Sequence, residues 1–168
     1  MRKMFNKLVY ILTIAAVILP FAPSGLVRAE EHWANKEINY AVAKGIWTKS
    51  GAADFEPDKT VTRGELAGML VRGIGAKTMG FEDMYDDVTP TTEDNLEIIS
   101  MARLNVMNGY MRQFRPNDSL TREELAVILD RAYKIVRDDT QHKVDSKRFR
   151  DFDQISEWAR QGIANVVE

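Results

Sequence analysis

Apolar residues return at helical spacing along most of the chain. Trp33, Ala34, Ile38, Ala41, Val42 and Ile46 place one apolar face on residues 33–46, which predicts an amphipathic helix. Leu66, Met69, Leu70 and Ile74 form a second stripe, and Ile98, Met101, Ala102 and Val106 a third. Leu125, Ile128, Leu129, Ala132 and Tyr133 form a fourth, and Trp158, Ala159, Ile163 and Val166-Val167 begin a fifth. Stripes of this kind are the buried faces of helices, and these residues are the expected core. Gly45 and Gly109 stand where the first and third helices should close. The second and fourth helices have a sharper start, because Thr62-Arg63-Gly64-Glu65 and Thr121-Arg122-Glu123-Glu124 both read as capping boxes.

The helices come in pairs, and the pairs repeat. Phe55-Glu56-Pro57-Asp58-Lys59-Thr60-Val61-Thr62-Arg63-Gly64-Glu65-Leu66-Ala67 returns 59 residues later as Phe114 to Ala126, with Phe, Pro, Thr-Arg, Glu and Leu-Ala in the same order. Such self-similarity marks one supersecondary unit used several times. The fold predicted is all-α, built of helix–loop–helix repeats: one over 30–77 and a second over 78–136. A polar linker follows at 137–147, and residues 148–168 open a third repeat read as truncated. A helix as short as the one opening at Trp158 is marginal in water by itself. Either the gene continues past residue 168, or a core supplied by the first two units or by another copy of the chain covers this helix. The acidic join Phe81–Val88 lacks the alternating ligands and central glycine of a calcium-binding loop and reads as a solvated turn.

Composition narrows the function. Arg2, Lys3 and Lys7 precede an apolar run from Leu8 to Phe21, and Val27-Arg28-Ala29 fits a cleavage site, so residues 1–29 are expected to be an export signal. The run is short for a membrane span and is interrupted by Pro20, so no stable membrane insertion is expected after cleavage. Residues 1–29 hold four basic residues and no acidic one; without them the 23 basic residues fall to 19 against 25 acidic, a net charge of −6. That charge argues against a nucleic-acid partner despite the helix–loop–helix pattern. Cysteine is absent, which excludes thiol catalysis and thiolate metal sites. His32 and His142 are the only histidines, and no nucleophile elbow, zinc-protease motif or phosphate loop occurs. No catalytic residue, metal or cofactor is expected.

The repeated arginines offer a binding chemistry instead. With Thr62 as N-cap, Arg63 is the first helical residue, beside free backbone amides and the positive end of the helix dipole. A carboxylate there would meet main-chain donors and a forked cation together. The same holds for Arg122. A helix-start arginine is also explained by plain solvation or a surface ion pair. Trp33 and Trp158 are open to two readings, core residues or indole faces that stack on a sugar.

These residues resemble the S-layer homology family. His32-Trp33-Ala34, Ile38, Ala41-Val42 and Gly45-Ile46 are similar to that family's first helix, and Phe55-x-Pro57-Asp58 through Val61-Thr62-Arg63-x-Glu65 to its most diagnostic motif. Phe114 to Glu124 repeats that motif, and Phe149-x-Asp151 with Trp158-Ala159 is similar to the start of another unit. The resemblance covers most of residues 30–137 and residues 148–168. It implies a pseudo-threefold helical assembly whose grooves hold a pyruvylated secondary cell-wall polysaccharide associated with peptidoglycan. The place implied is the wall or S-layer of a Gram-positive-type envelope. It also implies Arg63, Arg122, Trp33, Trp158 and Gly109 as ligand residues, and allows self-association to complete the assembly. Lys49 stands where the family commonly has a glycine six residues before the loop Phe, and Gly109 lies five before Phe114, so Arg122 is expected to matter more than Arg63. The rival function is an exported all-helical protein–protein interaction module without glycan binding.

Overall fold

A computed structural model of the chain describes residues 33–49, 55–137, 144–145 and 148–166. The expected export signal, most of the 137–147 linker and the last two positions lie outside these residues. The described residues form α1 (Asn35–Ala43), α2 (Arg63–Ile74), α3 (Asn95–Arg103), α4 (Arg122–Val136) and α5 (Glu157–Val166), with a 3-10 turn at Phe152–Gln154. No strand occurs among them, only the isolated bridges Thr62–Ser119 and Tyr110–Gln113. The all-α reading of the sequence therefore holds. The chain divides into two compact units, one with α1 and the other with residues 44–47 and α2 to α5. In the first, α1 buries Ile38.

In the second unit α2 packs on α3 and α4, and α4 packs on α5. Its core joins Leu66, Leu70 and Val71 of α2 to Ile98, Ile99 and Met101 of α3, and to Ile128 and Ala132 of α4. Both capping boxes are formed: Thr62 Oγ1 accepts from the Glu65 amide and Thr121 Oγ1 from the Glu124 amide, each glutamate returning to its threonine N–H. Such caps typically contribute about 1 kcal/mol. Leu125, Leu129 and Tyr133 stay exposed, although their repeat counterparts Leu66 and Leu70 are buried. On α4 the residues in the core are Ile128 and Ala132 instead, with Asp130 also buried.

The acidic join differs from the solvated turn expected of it. Tyr85 and Val88 are buried in the core. Asp87 accepts from the amides of Phe114 at 2.8 Å and Arg115 at 2.6 Å, and Asp86 pairs with Arg112 Nε at 2.7 Å. That hydrogen bond from Arg112 to Asp86 raises the arginine's pKa above its ordinary value. The join is a clasp on the loop that follows α3. The loop needs one, because Asn105, Met111, Arg112 and Arg115 all have positive φ, a region costly for residues other than glycine. Tyr110 and Gln113 exchange both backbone hydrogen bonds at 2.9 Å around Met111-Arg112, a two-residue hairpin turn of the primed kind.

The helix from residue 157 is covered by α4. Gly162 lies so close that a Cβ would stand 2.9 Å from Val127 Cγ2, and Ala159 and Ala164 are buried. Asn165 Nδ2 donates to Asp130 Oδ1 at 2.9 Å, and Ser156 N–H to Glu123 Oε1 at 2.8 Å. The helix therefore packs on α4.

Gly109 generates the stability test for this architecture. Its amide donates to Tyr85 Oη at 3.1 Å, and a Cβ would stand 2.4 Å from the Gln113 carbonyl oxygen and 2.5 Å from Tyr85 Cε1. Gly109→Ala is expected to destabilise the protein by about 1–3 kcal/mol. Gly73→Ala, at a helix position with open space around it, is expected to stabilise by about 0.5–1 kcal/mol. Urea unfolding of the two variants checks the pair.

Candidate functional site

The start of α2 is seated on the loop after α3. The Arg63 amide donates to Asp118 O at 2.9 Å and the Gly64 amide to Pro116 O at 2.8 Å, while Thr62 caps the Glu65 amide. Gly64 permits this approach, since a Cβ there would already press on Pro116 O at 3.2 Å. The amides that sequence reasoning left free for an anion are therefore occupied by the protein's own loop.

The Arg63 side chain follows its backbone into the same loop. Nε donates to Phe114 O at 2.8 Å and Nη2 to Asn108 O at 2.9 Å, and the guanidinium carbon lies 4.8 Å from the centroid of the Phe114 ring. Phe114 in turn stacks obliquely on Tyr85, with centroids 5.5 Å apart. Arg63 is only 5% exposed, which replaces the expected solvated side chain at the helix start with a buried one. Burial lowers its pKa from the ordinary arginine value, and the negative charge of Glu124 opposes that shift. Two carbonyls and an aromatic face compensate the buried charge. Nη1 makes no hydrogen bond among the described residues.

On its open side Arg63 lines a groove of about 210 Å³. Asn108, Glu124, Val127, Ile128, Arg131 and Trp158 complete its lining. Trp158, at the start of α5, is 58% exposed and shares this lining with Arg63 and Arg131. Glu124 is already engaged, its Oε2 accepting from the Thr121 amide at 2.9 Å and hydroxyl at 3.1 Å. Chemically the groove offers cations, an aromatic face and apolar side chains, which suits a sugar carrying a negative charge.

Of the five residues proposed from the sequence, Arg63 and Trp158 meet in this groove. Gly109 sits in the loop that forms its wall and is required by close packing. Arg122 is exposed and does not line the groove. Trp33 is 88% exposed and belongs to the unit of α1. Sequence reasoning passed over Asn108 and Arg131; the first contributes a backbone carbonyl, which no side-chain pattern can reveal.

Fold and site together define a protein of repeated helix–loop–helix units in which one unit's loop seats the helix start of the unit before it. The chain belongs to the S-layer homology family, whose domain matches residues 29–67 and 85–126. It is similar to an amylopullulanase of Thermoanaerobacterium thermosulfurigenes, 30% identical over 139 residues covering 83% of this chain and 8% of that protein. It is similar to an exoglucanase of Acetivibrio thermocellus, 27% identical over 159 residues covering 90% of this chain and 15% of the relative. An S-layer protein of Bacillus thuringiensis subsp. finitimus is 27% identical over 164 residues, 92% of this chain and 19% of its own length. The chain thus spans less than a fifth of each of these relatives.

The two repeated arginines should separate cleanly in stability. Arg63→Ala leaves Phe114 O and Asn108 O without their donors and removes the ring contact, so a loss of about 2–4 kcal/mol is expected. Arg122→Ala should stay within about 0.5 kcal/mol of the parent. Urea midpoints followed by circular dichroism make the comparison.

Proposed function

We propose that the protein attaches non-covalently to the bacterial cell wall by binding an anionic secondary wall polysaccharide, with a carboxylated sugar such as a pyruvate ketal in the groove. The observation that carries this reading is the convergence of Arg63 and Trp158, distant in sequence, on one groove with Arg131. Membership of the S-layer homology family supports it. So does the sharing of one short segment by relatives named as enzymes and as an S-layer protein, the distribution expected of an attachment module.

The site residues in this reading are Arg63 and Trp158, with Gly109 shaping the wall. Arg122 and Trp33 lie outside this groove. The reading includes no catalysis: glycoside hydrolysis uses a pair of carboxylates, and the groove lining holds only Glu124, committed to its cap. Export through residues 1–29 places the protein outside the cell, at the wall of a Gram-positive-type envelope. No helix among the described residues is long and apolar enough to cross a membrane. The exposed stripe of Leu125, Leu129 and Tyr133 favours self-association as a second property of the same chain.

Wall pelleting tests the proposal. The protein is expected to sediment with sacculi that retain their polysaccharide and to remain in solution with sacculi stripped of it. Equal sedimentation with both would favour a protein or peptidoglycan partner, and sedimentation with neither would remove wall attachment altogether.

A further inference from the structure

The repeat extends beyond the capping box to a second arginine pair. Arg72 and Arg131 are separated by the same 59 residues as Arg63 and Arg122, so they occupy equivalent places on α2 and α4. Their surroundings differ. Arg72 Nε donates to Ile46 O at 2.8 Å, and Nη1 lies 3.6 Å from Asp94 Oδ1, so its donors are spent inside the fold. Arg131 makes no hydrogen bond or ion pair among the described residues, and it lines the groove. The sequence supplies the reason. Asp94 stands four residues before Ile98 on α3, whereas the residue four before Ile163 on α5 is Ala159, which has no charge to offer.

We infer that Arg131 is the residue that grips the ligand's carboxylate, and that Arg63 chiefly holds the groove's wall in place. This rests on the glycan-binding reading above and divides the work between its two cations. Arg63 has already committed Nε and Nη2 to backbone carbonyls, and Glu124 has committed Oε2 to Thr121. Arg131 keeps its planar fork whole, so a carboxylate can accept two parallel N–H bonds from it. Trp158 lines the same groove and offers a sugar ring a flat apolar surface. The ligand class is accordingly a sugar that carries a carboxylate. Neutral sugars would gain only the indole and the apolar side chains.

The test uses the full chain with two forms of one wall polysaccharide: the pyruvate-ketal form, and the same polymer after mild acid has removed the ketal. The parent should prefer the ketal form. Arg131→Gln should bind that form about 10- to 100-fold more weakly, bind both forms alike, and keep the parent's urea midpoint. Arg131→Lys should recover only part of the preference, because an ammonium cannot make the forked contact. If Arg131→Gln keeps the parent's preference, this inference is overturned while glycan binding stands. If the parent binds neither form, or both equally, the anionic-glycan reading fails and takes this one with it.

Discussion

Arg63 and the carbonyls of the loop after α3 hold the second unit in register. Three alternate carbonyls, Phe114, Pro116 and Asp118, receive the Arg63 side chain, the Gly64 amide and the Arg63 amide respectively. A helix start normally leaves its first amides for water or a side chain. Here the loop after α3 satisfies them. One consequence is that helix capping and loop docking become the same event, so neither can be lost alone. Another is that the groove's position is set by the repeat itself, because the arginine that docks the loop also forms part of the lining.

That docking makes sense of the loop's strain. Four residues from Asn105 to Arg115 take positive φ without being glycine, each at a cost on the order of 1 kcal/mol. Conformations of this kind persist where surrounding contacts over-determine them. Asp87 binds two consecutive loop amides, Asp86 and Asp83 bind Arg112, and Tyr85 closes over Gly109 and Phe114. The strained loop is thus gripped from below by the acidic join and from above by Arg63. Contacts from both segments over-determine the loop's conformation.

Much of this was legible in the sequence, and the remainder fails for identifiable reasons. Helices with local signals were readable: the Thr-x-x-Glu boxes, the Leu66 and Leu70 stripe, and the Ile98–Val106 face all behave as their spacing indicates. The Phe81–Val88 join misled because half of its residues are acidic, while Tyr85 and Val88 alone are buried. Arg63 misled because a first-turn side chain is usually solvated, and its partners are backbone carbonyls some fifty residues away. The stripe on α4 misled in the opposite sense, since Leu125 and Leu129 repeat Leu66 and Leu70 without the same neighbours. Arg131 was hidden behind a repeat read only as far as its most diagnostic motif. In each case the local pattern was right and the missing information was which element lay opposite.

Native-state amide hydrogen exchange in the Arg63→Lys variant tests the docking most directly. A lysine keeps the charge but cannot span Phe114 O and Asn108 O together. If Arg63 holds the loop on the start of α2, the Gly64 and Gly109 amides should lose protection together, well before the amides of Ile98–Ala102 in the core. Wall binding should fall in the same variant. Unchanged protection at Gly64 and Gly109 would contradict the account, showing that the loop stays seated without the arginine's fork.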